Sequence, residues 1–250
     1  MSALYDVFAP PPRAVLIDAG FTLTFWDGAR IAAHAALAGV AADPAALERV
    51  EEALRRELCE REGMELRAHR DEASTRAWIT SVFRRILELA GAPGGGDALD
   101  RAAEVILREH MAQNVWRREG AGVRAAVARL REAGLALAVV SNSEGNIEAM
   151  LRDIGLAPLF DTILDSTVVG FAKPDPRIFA LALQRLGVAA ADAIMVGDSP
   201  NADVEGARGA GVRAALLDPF DLYPWAKAPR FRDFPAFVDT LLTSVTPARP

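Results

Sequence analysis

The sequence predicts an α/β protein: a doubly wound parallel sheet with an α-helical domain inserted after the first strand. Three observations predict it. From residue 121 onward, short apolar runs alternate strictly with amphipathic stretches. The runs are too apolar to face water, so they read as strands of a parallel sheet covered on both sides. Between the first such run and the rest lies a long segment with apolar residues at helical spacing and no convincing strand. The expected division is a Rossmann-like core of residues 1–23 and 115–250 and a helical cap of residues 24–114.

The first strand is Ala14-Val15-Leu16-Ile17, which stops at Asp18. Helical periodicity then covers IAAHAALAGV (31–40), PAALERVEEALRRELCEREG (44–63), STRAWITSVFRRILELAG (74–91) and DALDRAAEVILREHMAQ (97–113). Asp43-Pro44 and Ser74 read as helix starts, Gly91 as a stop, and GAPGGGD (91–97) as a loop. The core resumes with helix 121–133, strand 135–140, helix 145–154, strand 162–165, helix 176–186, strand 193–197, helix 200–210 and strand 213–217. The tail from 219 is rich in proline and aromatics. It is expected to pack along the core, with a short helix over 235–243.

Composition narrows the function classes. The chain has 250 residues, 51% apolar and 25% charged, which is ordinary for a soluble globular protein. A net charge of −6 argues against nucleic acid or an anionic membrane as the main partner. The single cysteine, Cys59, excludes an intramolecular disulfide and suits a reducing cytoplasm. No apolar run approaches the ~18 residues of a spanning helix, and the first residues show no leader pattern. A cytoplasmic monomer or homodimer is expected. Lysine occurs only at 173 and 227, against 28 lysines and arginines together.

Function is sought at the strand ends, because open parallel sheets bind ligands beyond the carboxyl ends of their strands. AVLI ends in Asp18, LALAVV in Ser141-Asn142, TILD runs into Ser166, and IMVG ends in Asp198. Two carboxylates and a hydroxyl at one sheet edge suit a hard divalent cation and a phosphate. Taken singly, each of these residues could equally cap a helix. VVGFAKPDPRIF (168–179) places one of the two lysines in a loop before Pro174. In a chain that otherwise uses arginine, a lysine there supplies a compact point charge. VGDSPNADVEGARGAGV (196–212) puts Asp198 at a strand end and Asp203 near the first turn of the next helix. Two such acids can share one metal, or Asp203 can complement the helix dipole.

In this ordered set the chain resembles the haloacid dehalogenase superfamily, in the branch with a helical cap inserted after the first strand. The resemblance covers roughly residues 12–245. It implies that Asp18 is a nucleophile forming an aspartyl-phosphate. It implies Mg²⁺ held by Asp18, the Gly20 carbonyl and Asp198, with Asp203 orienting that shell. Ser141, nearby backbone amides and Asn142 are expected to hold phosphate oxygens of a small phosphorylated metabolite. Lys173 is expected to neutralise charge on nucleophile and phosphate.

One position departs from the pattern. Family phosphatases usually carry D-x-D-G-T here, and this chain reads Asp18-Ala19-Gly20-Phe21-Thr22. The second carboxylate, the general acid and base, is replaced by Gly20, and the following glycine by Phe21. Three alternatives follow. A 2-haloacid dehalogenase also lacks that acid, since halide leaves without a proton, but it needs no metal, whereas Asp198 with Asp203 argues for one. A phosphonate hydrolase lacks it too, but uses a cap lysine, and the insert contains none. The third alternative is a non-catalytic phosphate- or partner-binding protein. The cap does not name the substrate: His34, His69, His110, Trp78 and Arg67–Arg70 read first as parts of helix faces, and Phe25 and Trp26 as junction packing.

Overall fold

In the computed structural model, residues 8–62 and 72–245 are described. His69 and Arg67–Arg70 lie outside them. The chain divides into two compact units, residues 1–25 with 119–250, and residues 26–118.

The first unit is built on strands β1 (Ala14–Ile17), β4 (Ala136–Ser141), β5 (Thr162–Asp165), β6 (Ala193–Gly197), β7 (Arg213–Leu217) and β8 (Arg230–Phe231). They form one parallel sheet in the order β5-β4-β1-β6-β7-β8. The strand β1 lies inside, and all four of its residues are buried, which is why AVLI carries no polar residue. Register aligns the carboxyl ends: Ile17 stands opposite Val139 and Val196, Ser141 opposite Asp165, and Gly197 opposite Leu216. The residues that follow these strands therefore emerge side by side.

The expected strands at 162–165, 193–197 and 213–217 and the helix at 176–186 are observed with those bounds. The helix expected at 200–210 is instead a π-turn, Pro200–Glu205, followed by a short α-helix, Gly206–Gly209. Val204 N–H reaches back five residues to the Ser199 carbonyl at 3.2 Å. This widened turn lets the Asp203 side chain fold back over the preceding loop. Two-residue strands had no periodicity to announce them: β2 (Thr24–Phe25), β3 (Arg118–Glu119) and β8. The tail does complete the core. Phe231, Phe234, Phe237, Val238 and Leu241 pack with Phe8, Val15, Ile17 and Leu130, and the rings of Phe231 and Phe237 meet edge to face at 5.5 Å.

The second unit is helical: α1 (Gly28–Leu37), α2 (Pro44–Arg49), α3 (Glu51–Glu62), α4 (Glu72–Leu89) and α5 (Gly96–Ala112). Asp43 caps α2, its carboxylate accepting from the Ala45 and Ala46 N–H groups. The stretch read as one helix from 44 breaks at Val50, whose ψ of 4° leaves the helical range. The next helix restarts with Glu51 and Glu52 complementing its dipole. Ser74 sits in the first turn of α4 rather than ahead of it, and α5 begins inside the expected loop, with Gly95 as its cap. Trp26 is buried, donates Nε1–H to the Leu47 carbonyl at 2.8 Å, and meets Trp116 edge to face. His110 is buried against the Phe83 ring, with Nδ1 accepting from the Val115 N–H. Both are packing residues of this unit. No helix among the described residues is long and apolar enough to cross a membrane.

Candidate active site

Asp18 is placed by the ladder that precedes it. Its N–H donates to the Val196 carbonyl at 2.9 Å, carrying the β1–β6 pairing one residue past the strand. The chain then closes a tight loop. Ala19 O accepts the N–H groups of Leu23 and Thr24, both at 2.9 Å, and Phe21 N–H donates to Thr24 O at 2.8 Å. The Gly20 carbonyl takes no part in these bonds. The left-handed position of the loop is Phe21, with φ 55°, not Gly20. A Cβ built on Gly20 would meet nothing within 4 Å.

Lys173 reaches the same point from a loop with no ladder of its own. Its Nζ donates to Asp18 Oδ1 at 2.5 Å and to Asp203 Oδ1 at 2.6 Å. The lysine is only 2% exposed and Asp203 1%. Burial pushes the ammonium down, but the Asp18 and Asp203 carboxylates outweigh it and hold the pKa above the ordinary value. For Asp18, burial is the largest influence; Lys173 opposes it, and Asp203 and Asp198 reinforce it, so the carboxyl is raised to about 7.

Asp203 is fixed at both oxygens: Oδ1 by Lys173 and Oδ2 by the Ser199 N–H at 2.9 Å. Its carboxylate packs against Gly197. A Cβ there would stand 2.3 Å from both Asp203 Cγ and Oδ2, so only glycine fits. Gly206 is excluded from substitution in the same way, because a Cβ would come 2.8 Å from Pro174 Cα. The turn that carries Asp203 thus presses on the loop that carries Lys173.

The carboxylates of Asp18, Asp198 and Asp203 each offer an oxygen within 4.8 Å of the others. All the donors are hard oxygens, the set Mg²⁺ takes. A cluster of three acids of this kind suits a divalent cation. Both Asp203 oxygens have partners within the chain, and Asp18 Oδ2 accepts from the Thr22 hydroxyl at 3.5 Å.

Ser141, at the end of β4, is 4% exposed, and its hydroxyl has no hydrogen bond among the described residues. Asn142 pairs with the lysine segment: its Nδ2 donates to the Lys173 carbonyl at 2.9 Å and its Oδ1 accepts the Lys173 N–H at 2.8 Å. In the sequence Asp165 reads only as the last residue of a strand. It is buried and accepts N–H bonds from Gly145, Ile147 and Thr167. Ser166 Oγ accepts the Ser143 N–H, and Thr167 Oγ1 donates to the Ser143 carbonyl. These bonds hold the 143–147 loop that follows Ser141 and Asn142.

A parallel sheet with three carboxylates and a buried lysine gathered beyond its carboxyl edge defines a Rossmann-like α/β enzyme core. More narrowly, the chain belongs to the haloacid dehalogenase-like hydrolases, whose family model matches residues 12–211. Among curated relatives, it is 42% identical over 138 residues to a phosphoserine phosphatase of Thermus thermophilus, covering 55% of this chain and 53% of that one. It is 38% identical over 145 residues to the mouse (Mus musculus) haloacid dehalogenase-like hydrolase domain-containing protein 3, covering 58% and 57%. The matches span about half the length of these relatives. Among solved structures, the HAD-hydrolase YfnB of Bacillus subtilis, bound to magnesium, shares the fold with TM-score 0.60 at 22% identity, covering 92% of this chain and 99% of that one. A 2-haloacid dehalogenase of Pseudomonas syringae gives TM-score 0.54 at 25% identity, covering 93% and 99%.

Proposed function

We propose that the protein is a cytoplasmic, Mg²⁺-dependent phosphatase that acts on a small phosphorylated metabolite through an aspartyl-phosphate on Asp18. The observation that carries this reading is the Lys173 ammonium bridging Asp18 and Asp203, with Asp198 close enough to share a cation. Phosphatase names among the relatives support it. A carboxylate oxygen of Asp18 attacks phosphorus, the bond to the leaving oxygen breaks, and that oxygen takes its proton from solvent. Water then attacks the phosphorus of the acyl phosphate, releasing phosphate and restoring the Asp18 carboxylate. Lys173 holds Asp18 in place and offsets negative charge on the phosphate; the Ser141 hydroxyl is available to a phosphate oxygen. Asp18, Asp198 and the Gly20 carbonyl would hold Mg²⁺, which would supply further charge neutralisation. Residues 24–114 act as the cap that selects the substrate.

The test is turnover of phosphorylated metabolites and 2-haloacids by the full chain, with Mg²⁺ and with chelator. Phosphate release that needs Mg²⁺, together with a trapped phosphoryl group on Asp18, supports the proposal. A second reading, 2-haloacid dehalogenase, is favoured by the absence of a carboxylate at Gly20 and by the Pseudomonas syringae likeness. Halide release undiminished in chelator would establish it instead. A chain with neither activity would be a binding protein.

A further inference from the structure

We infer that Asn142 is a positioning residue for Lys173: it acts on the reaction through the lysine backbone and not by contact with substrate. This deepens the proposed function and rests on Lys173 serving the phosphoryl site.

Lys173 must present its ammonium to two carboxylates, Asp18 just past β1 and Asp203 in the π-turn after β6, yet its own segment lies in no helix or strand. Its side chain has four rotatable bonds and loses rotamer entropy when held in one place. A small drift of its backbone would therefore take Nζ away from Asp18 or Asp203. A buried backbone N–H and C=O without a ladder also need partners. The Asn142 side chain supplies both, pairing with the Lys173 N–H and C=O as a neighbouring strand would. Asn142 is the first residue past β4, whose register with β1 is set by the sheet. Asp18 is the first past β1. The amide thus ties the lysine to the strand beside the one that delivers its carboxylate partner. On the far side, Pro174 rests against Gly206, so the lysine backbone is held from both directions.

The sequence places Asn142 beside Ser141, where it reads as another phosphate contact. The two roles differ in a double-mutant cycle. A residue that acts only through Lys173 loses its effect once Lys173 is gone, whereas a substrate contact keeps its effect.

The experiment uses the full chain with Mg²⁺ and p-nitrophenyl phosphate as the probe, comparing Asn142→Ala, Lys173→Met and the double variant. The same four proteins are titrated with inorganic phosphate by calorimetry, so that the cycle closes even where turnover is undetectable. Asn142→Ala is expected to lower kcat/KM ~10–100-fold, the range seen when an outer partner of a site residue is removed. In the Lys173→Met background, the further loss in kcat/KM or phosphate affinity is expected to stay under about 3-fold. Asn142→Asp, which keeps the acceptor for the Lys173 N–H, should retain more activity than Asn142→Ala, and it replaces that variant in the cycle should the alanine protein not fold. Equal losses in both backgrounds, or no loss in the wild-type background, would overturn the inference. If Lys173→Met itself turns over at the wild-type rate, the phosphoryl role of the lysine fails, and the fault lies in the proposed function.

Discussion

Gly197 and Asp203 occupy one space: the carboxylate of Asp203 lies where a side chain at 197 would be, 2.3 Å from an added Cβ. The glycine at the end of β6 is thus a condition for the acid six residues later. Gly197→Ala should push Asp203 off Lys173 and Ser199. Overpacking of this kind costs typically about 1–3 kcal/mol, and loss of the outer acid should weaken Mg²⁺ ~10–100-fold. Thermal melting and a Mg²⁺ titration of turnover measure the two effects. A variant with wild-type Mg²⁺ dependence would show that Asp203 does not serve the metal.

Lys173 and Lys227 provide an internal contrast. Lys227 is exposed, and it is the backbone carbonyl, not the ammonium, that pairs with Arg208. Lys227→Met should change little. Lys173→Met leaves Asp18 and Asp203 buried without their cation, a change that typically costs about 3–5 kcal/mol, and turnover should fall by orders of magnitude. Mg²⁺ restores positive charge, so the melting temperature of Lys173→Met should rise more on adding Mg²⁺ than that of the wild type. An equal rise in both proteins would mean that the ion and the lysine do not share partners.

In the proposed mechanism, Gly20 should determine which substrates turn over quickly. With no acid two residues past Asp18, the wild-type rate should depend steeply on leaving-group acidity, with acyl and aryl phosphates ahead of alkyl phosphates. The glycine is not there for backbone reasons, since its φ is not positive and a Cβ would have open space. Gly20→Asp should therefore fold and accelerate alkyl phosphates most, by up to the ~10²–10⁴ that general acid catalysis is worth. Rates on paired alkyl and aryl substrates test this. Equal wild-type rates would mean that another group already donates the proton.

Asp165 should control the loop after β4. Asp165→Ala strands three backbone N–H groups, at a cost of roughly 1–3 kcal/mol, and should raise hydrogen exchange at Gly145 and Ile147. Asp165→Asn keeps an acceptor and should be milder. Burial holds the Asp165 carboxyl above its ordinary 3.8, although the three N–H bonds oppose it. The folded chain therefore binds this proton more tightly than the unfolded one does. Stability from this group is greatest below 3.8 and declines as pH climbs through the raised value. The deficit of Asp165→Asn should accordingly be larger at low pH; denaturant melts at two pH values would detect the reverse.

The sequence announced what periodicity and strand ends can announce. Asp18, Ser141 and Asp198 were legible because each interrupts or follows an apolar run. Lys173 stood out because the chain otherwise uses arginine. What stayed hidden depends on distance in space. The Lys173 backbone that pairs with Asn142 lies 31 residues further on, and nothing local marks that pairing. The need for glycine at 197 and 206 comes from side chains that reach them across turns. The π-turn at Pro200–Glu205 has helical periodicity in sequence and differs only in which carbonyl Val204 chooses.

The bond between the Gly120 N–H and the Leu23 carbonyl, at 2.9 Å, lies within the α/β unit, yet nearly a hundred residues of chain run between its ends. The departure and return points of the insert are therefore adjacent, closed by the host itself. Any helical cassette whose termini meet at this spacing can be received there without shifting β1 or the aspartate beyond it. If the insert selects the substrate as proposed, grafting the corresponding segment of a relative between Leu23 and Gly120 should exchange one specificity for another while leaving the reacting groups where they are.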